Sequence, residues 1–223
     1  MRQVSNAAAT QSTTRDAARP AGSTLSSRNR SLTITLAAAI AVGFVASSSS
    51  ASTEKTYTFT STRQGVAHGG NWKDDKNSIL QADGSGKVAF PLFVFNSPRF
   101  GGMDYTGEFL IESGNEDRYA GFVFRLRDAR NYYAVRFSAS ENNVFFARFD
   151  KGVRTILQSF NASISSKQWH KVRLVARRNA VTIFLDGRKV GTGIDAKWRI
   201  GKVGLGTKAD SITRFRKLSI TTT

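Results

Sequence analysis

The chain has 223 residues, 33 Lys plus Arg against 16 Asp plus Glu, a formal net charge of +17 and a hydrophobic content of 40%. That much apolar sequence excludes a disordered polycation and calls for a packed core. The absence of cysteine excludes a disulfide scaffold, thiolate metal sites and a cysteine nucleophile. Two histidines are too few for a multi-histidine metal centre. A basic globular protein remains, with anionic partners to consider: nucleic acid, membrane surface or acidic polysaccharide.

Residues 1–51 read as a signal peptide and leader. Asp16 is the only acid among residues 1–31, which are rich in Ala, Ser, Thr and Arg. An apolar run follows at 32–46, and Ser49 and Ala51 supply small residues before a cleavage point. The run falls short of the ~20 residues of a spanning helix, so no permanent membrane span is expected. Export is the expectation, to the cell envelope, the periplasm or the medium. An uncleaved anchor and an organelle transit peptide are the alternatives. Export puts intracellular DNA and RNA out of reach, so no nucleic-acid partner is expected. Five arginines and one aspartate lie in the leader, which leaves residues 52–223 with 28 basic and 15 acidic residues, a net of +13. These residues are expected to form a single domain.

From Lys55 onward apolar residues recur with period two. The runs lie at 55–60, 87–95, 105–112, 119–127, 131–139, 143–150, 153–160, 169–177, 180–187, 200–207 and 212–220. Aromatic and β-branched residues dominate them, and Gly, Asn, Asp or Ser bound them. Residues 61–86 read as loop with one short strand at 79–81. Eleven strands in one body predict two packed antiparallel sheets, an all-β jelly-roll sandwich.

The 119–137 hairpin carries the most specific expectation. A four-residue turn at 128–131 pairs Arg127 with Tyr132, Arg125 with Ala134 and Val123 with Arg136. Phe122, Phe124 and Leu126 then face the core with Tyr133, Val135 and Phe137, while Arg125, Arg127, Tyr132 and Arg136 share the other face. If Phe145, Ala147 and Phe149 also face inward, Phe146 and Arg148 join the arginines. Arginines beside rings can stack on sugars and pair with sulfate, carboxylate or phosphate. Alternating arginine on a strand is also the ordinary solvated face of a sandwich. In 169–177, Val172, Leu174 and Ala176 oppose Lys171, Arg173 and Arg177, and Trp169 reads as an anchor. In the last strand Arg214 and Arg216 share parity with Leu218 and Ile220, which requires a bulge or an inward arginine.

Catalytic patterns are sparse. Glycoside hydrolysis needs two carboxyl groups flanking the scissile bond. The clusters Glu112, Glu116 and Asp117, and Asp74 with Asp75, read as turn residues or calcium ligands rather than an acid and base pair. No cofactor is expected. A nucleophile elbow and a phosphate-binding loop are absent. His68 and His170 read as surface or hydrogen-bonded histidines. Asp186-Gly187 is a hairpin tip. Lys208, Asp210 and Ser211 can bind a ligand or cap a turn.

The stretches 116–155, 168–190 and 201–215 carry Arg125, Asp128, Asn131-Tyr132-Tyr133, Arg136, Glu141, Trp169-His170, Asp186-Gly187 and Lys208-Ala209-Asp210-Ser211 in order. This set resembles the bacterial 3-keto-disaccharide hydrolase-like domain, labelled family 16 glycoside hydrolase, of the concanavalin A-like lectin/glucanase superfamily. The resemblance covers 53–223 and implies a jelly roll that handles glycans on its concave face. Gly206 stands where the family has Trp, and Arg216-Lys217 stand where it has acids. The expectation is an exported protein binding acidic or cell-envelope polysaccharide through Arg125, Arg127, Tyr132, Arg136, Lys208 and Asp210. A glycoside or 3-keto-glycoside hydrolase and a structural envelope protein are the alternatives.

Overall fold

The structure is a computed structural model and describes residues 53–222. The leader and its signal segment lie outside the described residues. Fifteen strands follow in chain order: β1 (Thr56–Phe59), β2 (Gly65–His68), β3 (Trp72–Asp75), β4 (Ser78–Gln81), β5 (Leu92–Phe95), β6 (Met103–Ser113), β7 (Tyr119–Asp128) and β8 (Asn131–Ser138). The remainder are β9 (Asn143–Asp150), β10 (Val153–Asn161), β11 (His170–Arg177), β12 (Ala180–Leu185), β13 (Arg188–Ile194), β14 (Lys202–Gly206) and β15 (Ile212–Thr222). They form two antiparallel sheets. The first runs β13-β12-β11-β6-β15-β4-β3, with β1 also on β15; the second runs β10-β9-β8-β7-β14-β5-β2. The all-β sandwich expected from the period-two pattern is what is found. The 61–86 stretch is more regular than expected, because β2, β3 and β4 all form there. These strands have four residues each, too short for alternation to show in sequence.

The core is aromatic and lies between the sheets. Phe122 on β7 meets Tyr105 and Phe109 of β6 and Phe215 of β15, with centroids 5.3, 6.5 and 5.9 Å away. Phe109 also packs on Phe137 of β8 at 5.2 Å. The three pairs of Phe122 are edge-to-face, and such pairs stabilise beyond the area they bury. The Tyr105 hydroxyl crosses between sheets to donate to the Gly204 carbonyl at 3.0 Å. Val172, Leu174 and Ala176 are buried, and Lys171, Arg173 and Arg177 are exposed.

Two bulges correct the expected facing of side chains. In β7–β8 the register is Phe124 with Tyr133 and Val123 with Ala134, and then Asp128 with Asn131 around a two-residue turn. Residues 125–127 therefore oppose Tyr132 alone. Arg125 takes φ +49 to absorb the extra length. The parity breaks there: Phe122 and Phe124 stay in the core, whereas Leu126 joins a second apolar cluster on the outer face. In β15 the bulge falls at Lys217, φ +51, between the pairs Arg216–Glu108 and Ser219–Thr106. It lets Arg214 and Arg216 point out while Leu218 and Ile220 are buried.

Strand β9 is also the reverse of expectation. Val144 and Phe146 enter the core, and Phe145, Ala147 and Phe149 lie outside on the second sheet. Both parities of β9 are apolar, so alternation alone could not choose. Register decides, placing Phe145 beside Arg136, Ala147 beside Ala134 and Phe149 beside Tyr132.

Candidate functional site

On the outer face of the second sheet, apolar residues form a strip along β5, β7, β8 and β9. Tyr132 stacks on Phe149, with centroids 4.4 Å apart. The segment before β5 lies across this strip: Phe90 meets Phe149 edge-on at 5.1 Å, and the Arg154 guanidinium sits 5.3 Å from the Phe90 ring. The space under Phe90, beside Gly121, Gly206 and Thr207, is about 10 Å³, room for one water and no sugar. Tyr132 is therefore a covered ring.

Beyond that cover the charged groups gather. Arg136 of β8 is buried, its guanidinium held between the rings of Tyr119 at 4.8 Å and Phe145 at 4.6 Å. Its Nη2 lies 2.8 Å from the Glu141 carboxylate. The Arg136 Nε, Arg154 Nη1 and Thr207 Oγ1 are buried and have no hydrogen-bond partner among the described residues. Buried donors of this kind are costly unless something accepts from them. Asp117 is buried and lies 2.5 Å from the Lys208 ammonium. Burial opposes ionisation of Glu141, but hydrogen bonds from Asn143 and Arg136, with the charges of Arg136 and Lys208, hold its carboxyl below its ordinary value. Burial pushes the Tyr119 hydroxyl up to about 12, although the charges of Arg136 and Arg154 act to lower it. Arg136, Arg154, Lys208, Glu141 and Asp117 thus form one electrostatic cluster around Tyr119.

The residues singled out in the sequence divide between this cluster and other duties. Arg136 and Lys208 are brought together in it. Asp210 lies beneath it, its carboxylate accepting from the backbone N–H groups of Asn115, Glu116 and Asp117 at 2.5, 3.1 and 3.0 Å. It shapes the 114–117 turn that presents Asp117. Arg125 is buried, its guanidinium donating to the carbonyls of Trp198 and Arg178 at 3.2 and 2.7 Å. Arg127 is exposed near the β7–β8 turn. Arg154 and Phe145 escaped sequence reasoning. Arg154 sits in a strand whose alternation singles out nothing, and both parities of β9 are apolar, so alternation leaves the facing of Phe145 open.

The other suspected groups are occupied. His170 is buried, bonded to Asp186 at 2.8 Å and to Ser165. Asp74 accepts from Ser61 and Thr62 at the start of a short 3-10 turn, Thr62–Gln64, that Ser61 caps. Asp75 and Glu112 both pair with Arg214. Among the described residues no three His, Asp or Glu side chains converge on a metal position. Trp169 lies half-buried on the outer face of the first sheet under Arg216, 3.8 Å from its ring, beside an open recess of about 310 Å³. Arg214 and Arg216 are already paired there, with Glu112 and Glu108.

Comparison with known proteins places the fold. A family model described as the thrombospondin C-terminal region matches residues 73–158. A levanase of Bacillus subtilis (strain 168) is 25% identical over 114 residues, which is 51% of this chain and 17% of that protein. The chain thus matches under a fifth of that relative's length. Among solved structures, carbohydrate-binding module CBM66 from Bacillus subtilis superposes with a TM-score of 0.63 at 20% identity, covering 70% of this chain and 94% of that one. The β-glucanase of Bacillus licheniformis superposes at 0.52 with 10% identity, covering 76% and 92%. A Bacillus subtilis protein of unknown function with a galectin-like fold gives 0.56 at 12% identity, covering 74% and 97%. The fold is the galectin-like and concanavalin A-like jelly roll.

Proposed function

We propose that this chain is an exported glycan-binding jelly-roll protein whose ligand is an acidic or cell-envelope polysaccharide. The observation that carries the reading is the cluster built on Arg136: its guanidinium, buried between two aromatic rings, holds the exposed Glu141 carboxylate beside the Lys208–Asp117 pair. Sugars present hydroxyl and ring oxygens that accept from the Lys208 ammonium, and hydroxyl protons that the Glu141 carboxylate accepts. Three cations against two carboxylates favour a ligand that adds negative charge. The similarity to a carbohydrate-binding module and to part of a levanase supports the reading. The basic leader, apolar run and small residues of 1–51 support its export.

The test is a glycan array probed at low and high salt with the wild type, Arg154→Ala and Glu141→Gln. Binding to carboxylated or sulfated glycans that falls with salt and is lost in both variants is the expected result. Binding confined to neutral sugars and indifferent to salt would remove the acidic ligand. No binding at all would remove the glycan.

A hydrolytic reading, on glycosides or 3-keto-glycosides, draws on the gathering of Asp117, Glu141 and Lys208. The lowered pKa of Glu141 suits a base or nucleophile, whereas the general acid of a glycosidase needs a raised one. Release of reducing sugar that disappears in Glu141→Gln would favour this reading over binding alone.

A further inference from the structure

We propose that the end of the sandwich at the β7–β8 turn is a second, electrostatic contact for the same acidic glycan. The inference rests on the glycan reading and adds a surface to it. Five segments meet at this end. Lys202 of β14 stands opposite Leu126, which places it beside Arg127. Phe100 bridges Gly201, which brings Arg99 to the same edge. The Arg130 side chain donates to the Lys151 carbonyl at 2.6 Å, and the Gly152 N–H donates to the Arg130 carbonyl at 2.9 Å. Arg125 is the clamp beneath: its two bonds draw the 178 turn and the 198–199 loop together, so Arg178 and Arg199 join the group. Apart from buried Arg125 and half-buried Lys202, these cations are exposed.

Among the described residues their charge is only partly offset locally. Asp150 is held by Lys197 and Asp195 by Arg148. Asp128, bonded to the Arg130 N–H and the Asn131 amide, stays ionised and offsets one charge of the group, which leaves Arg99, Arg127, Lys151, Arg178, Arg199 and Lys202 in excess. A dense set of free cations on a rigid edge focuses positive potential and captures a flexible polyanion. The occupant is an acidic polysaccharide because of continuity with the Arg136 cluster. Strand β8 runs from this turn to Arg136, six residues or about 20 Å away. One chain of several sugars can therefore touch both. Single-stranded nucleic acid would look for exposed rings, and among the described residues none of the exposed large apolar side chains is aromatic. A bilayer would look for a broad apolar face, and Ile200 at this end is flanked by Arg199.

The experiment uses the full chain, dextran sulfate as the acidic probe and dextran as its uncharged counterpart, with affinity followed against NaCl. The variant R127E/R130E/R199E/K202E is compared with a charge-matched control, R63E/K73E/K171E/K189E, and with Arg154→Ala. The expected result is a loss on the order of tenfold or more for dextran sulfate in the first variant, with a flatter salt dependence and a much smaller loss in the control. Equal losses in both fourfold variants would overturn the proposal, since total charge would then suffice. Tighter binding to duplex DNA or phosphatidylglycerol vesicles than to dextran sulfate would overturn it in favour of those partners. Wild-type affinity in the first variant with loss in Arg154→Ala overturns the second contact and leaves the Arg136 site standing. The converse removes the Arg136 site and leaves the basic end.

Discussion

Asp210 shows how one buried carboxylate can fix a turn. Burial by itself would raise its pKa, but three backbone N–H donors outweigh burial and hold it below the ordinary 3.8. A carboxyl depressed in the folded state contributes stability that is fully present above its unfolded value. The contribution is lost as pH falls through the lower, folded value. Asp210→Asn should cost about 1–3 kcal/mol near neutral pH, because it weakens an acceptor shared by one buried and two partly buried backbone donors. It should also flatten the decline of stability below about pH 4 relative to wild type. Urea unfolding midpoints at pH 7 and pH 3 check both parts; a constant difference between wild type and variant at the two pH values would refute the linkage. Arg125 obeys a similar rule with opposite charge. Arg125→Met keeps the stem but leaves the Trp198 and Arg178 carbonyls without their donor, and should cost about 2–4 kcal/mol in the same assay.

At the scale of the strand, bulges decide which residues face outward and which enter the core. Lys217 sits at φ +51, where a side chain is strained and glycine is not. Lys217→Gly should be neutral or stabilise by up to about 1 kcal/mol, while Lys217→Val should destabilise by about 1–2 kcal/mol. A thermal melt of both variants separates backbone strain from loss of the pair between exposed Lys217 and buried Glu108, which both remove equally. The last strand announced its bulge, since Arg214 and Arg216 share parity with Leu218 and Ile220. The bulge at Arg125 gave no such signal. Phe122, Phe124 and Leu126 alternate without interruption, and only the two-residue turn betrays the extra length. The all-β class was legible because alternation holds over long strands whatever their partners. The Arg136 cluster was half legible. Arg136 and Lys208 stood out by type and motif, but their neighbours depend on the pairing of Phe145 with Arg136 and on a cover from the segment before β5, which are long-range facts.

Over the whole molecule, stability and binding draw on the same charge in opposite directions. Residues 52–223 carry a net charge of +13. Ion pairs such as Arg173–Asp104 are partly exposed, and pairs of that kind contribute about 0–1 kcal/mol each. Self-repulsion among unpaired cations works against the folded state and is longer in range. Added salt weakens both, but at ~0.1 M the screening length of about 10 Å acts most on charges separated by more than one contact. Repulsion should therefore fade first. The melting temperature should rise by a few degrees, about 2–4 °C, as NaCl goes from roughly 20 to 200 mM. The R127E/R130E/R199E/K202E variant should melt above wild type at low salt, and the gap should close at high salt. Scanning calorimetry at both salt concentrations decides the matter. A melting temperature that falls with salt would mean that the ion pairs outweigh the repulsion. If the variant is more stable and binds less acidic glycan, the unpaired cations at the β7–β8 end are kept at a cost in stability, as expected of a surface held for a ligand.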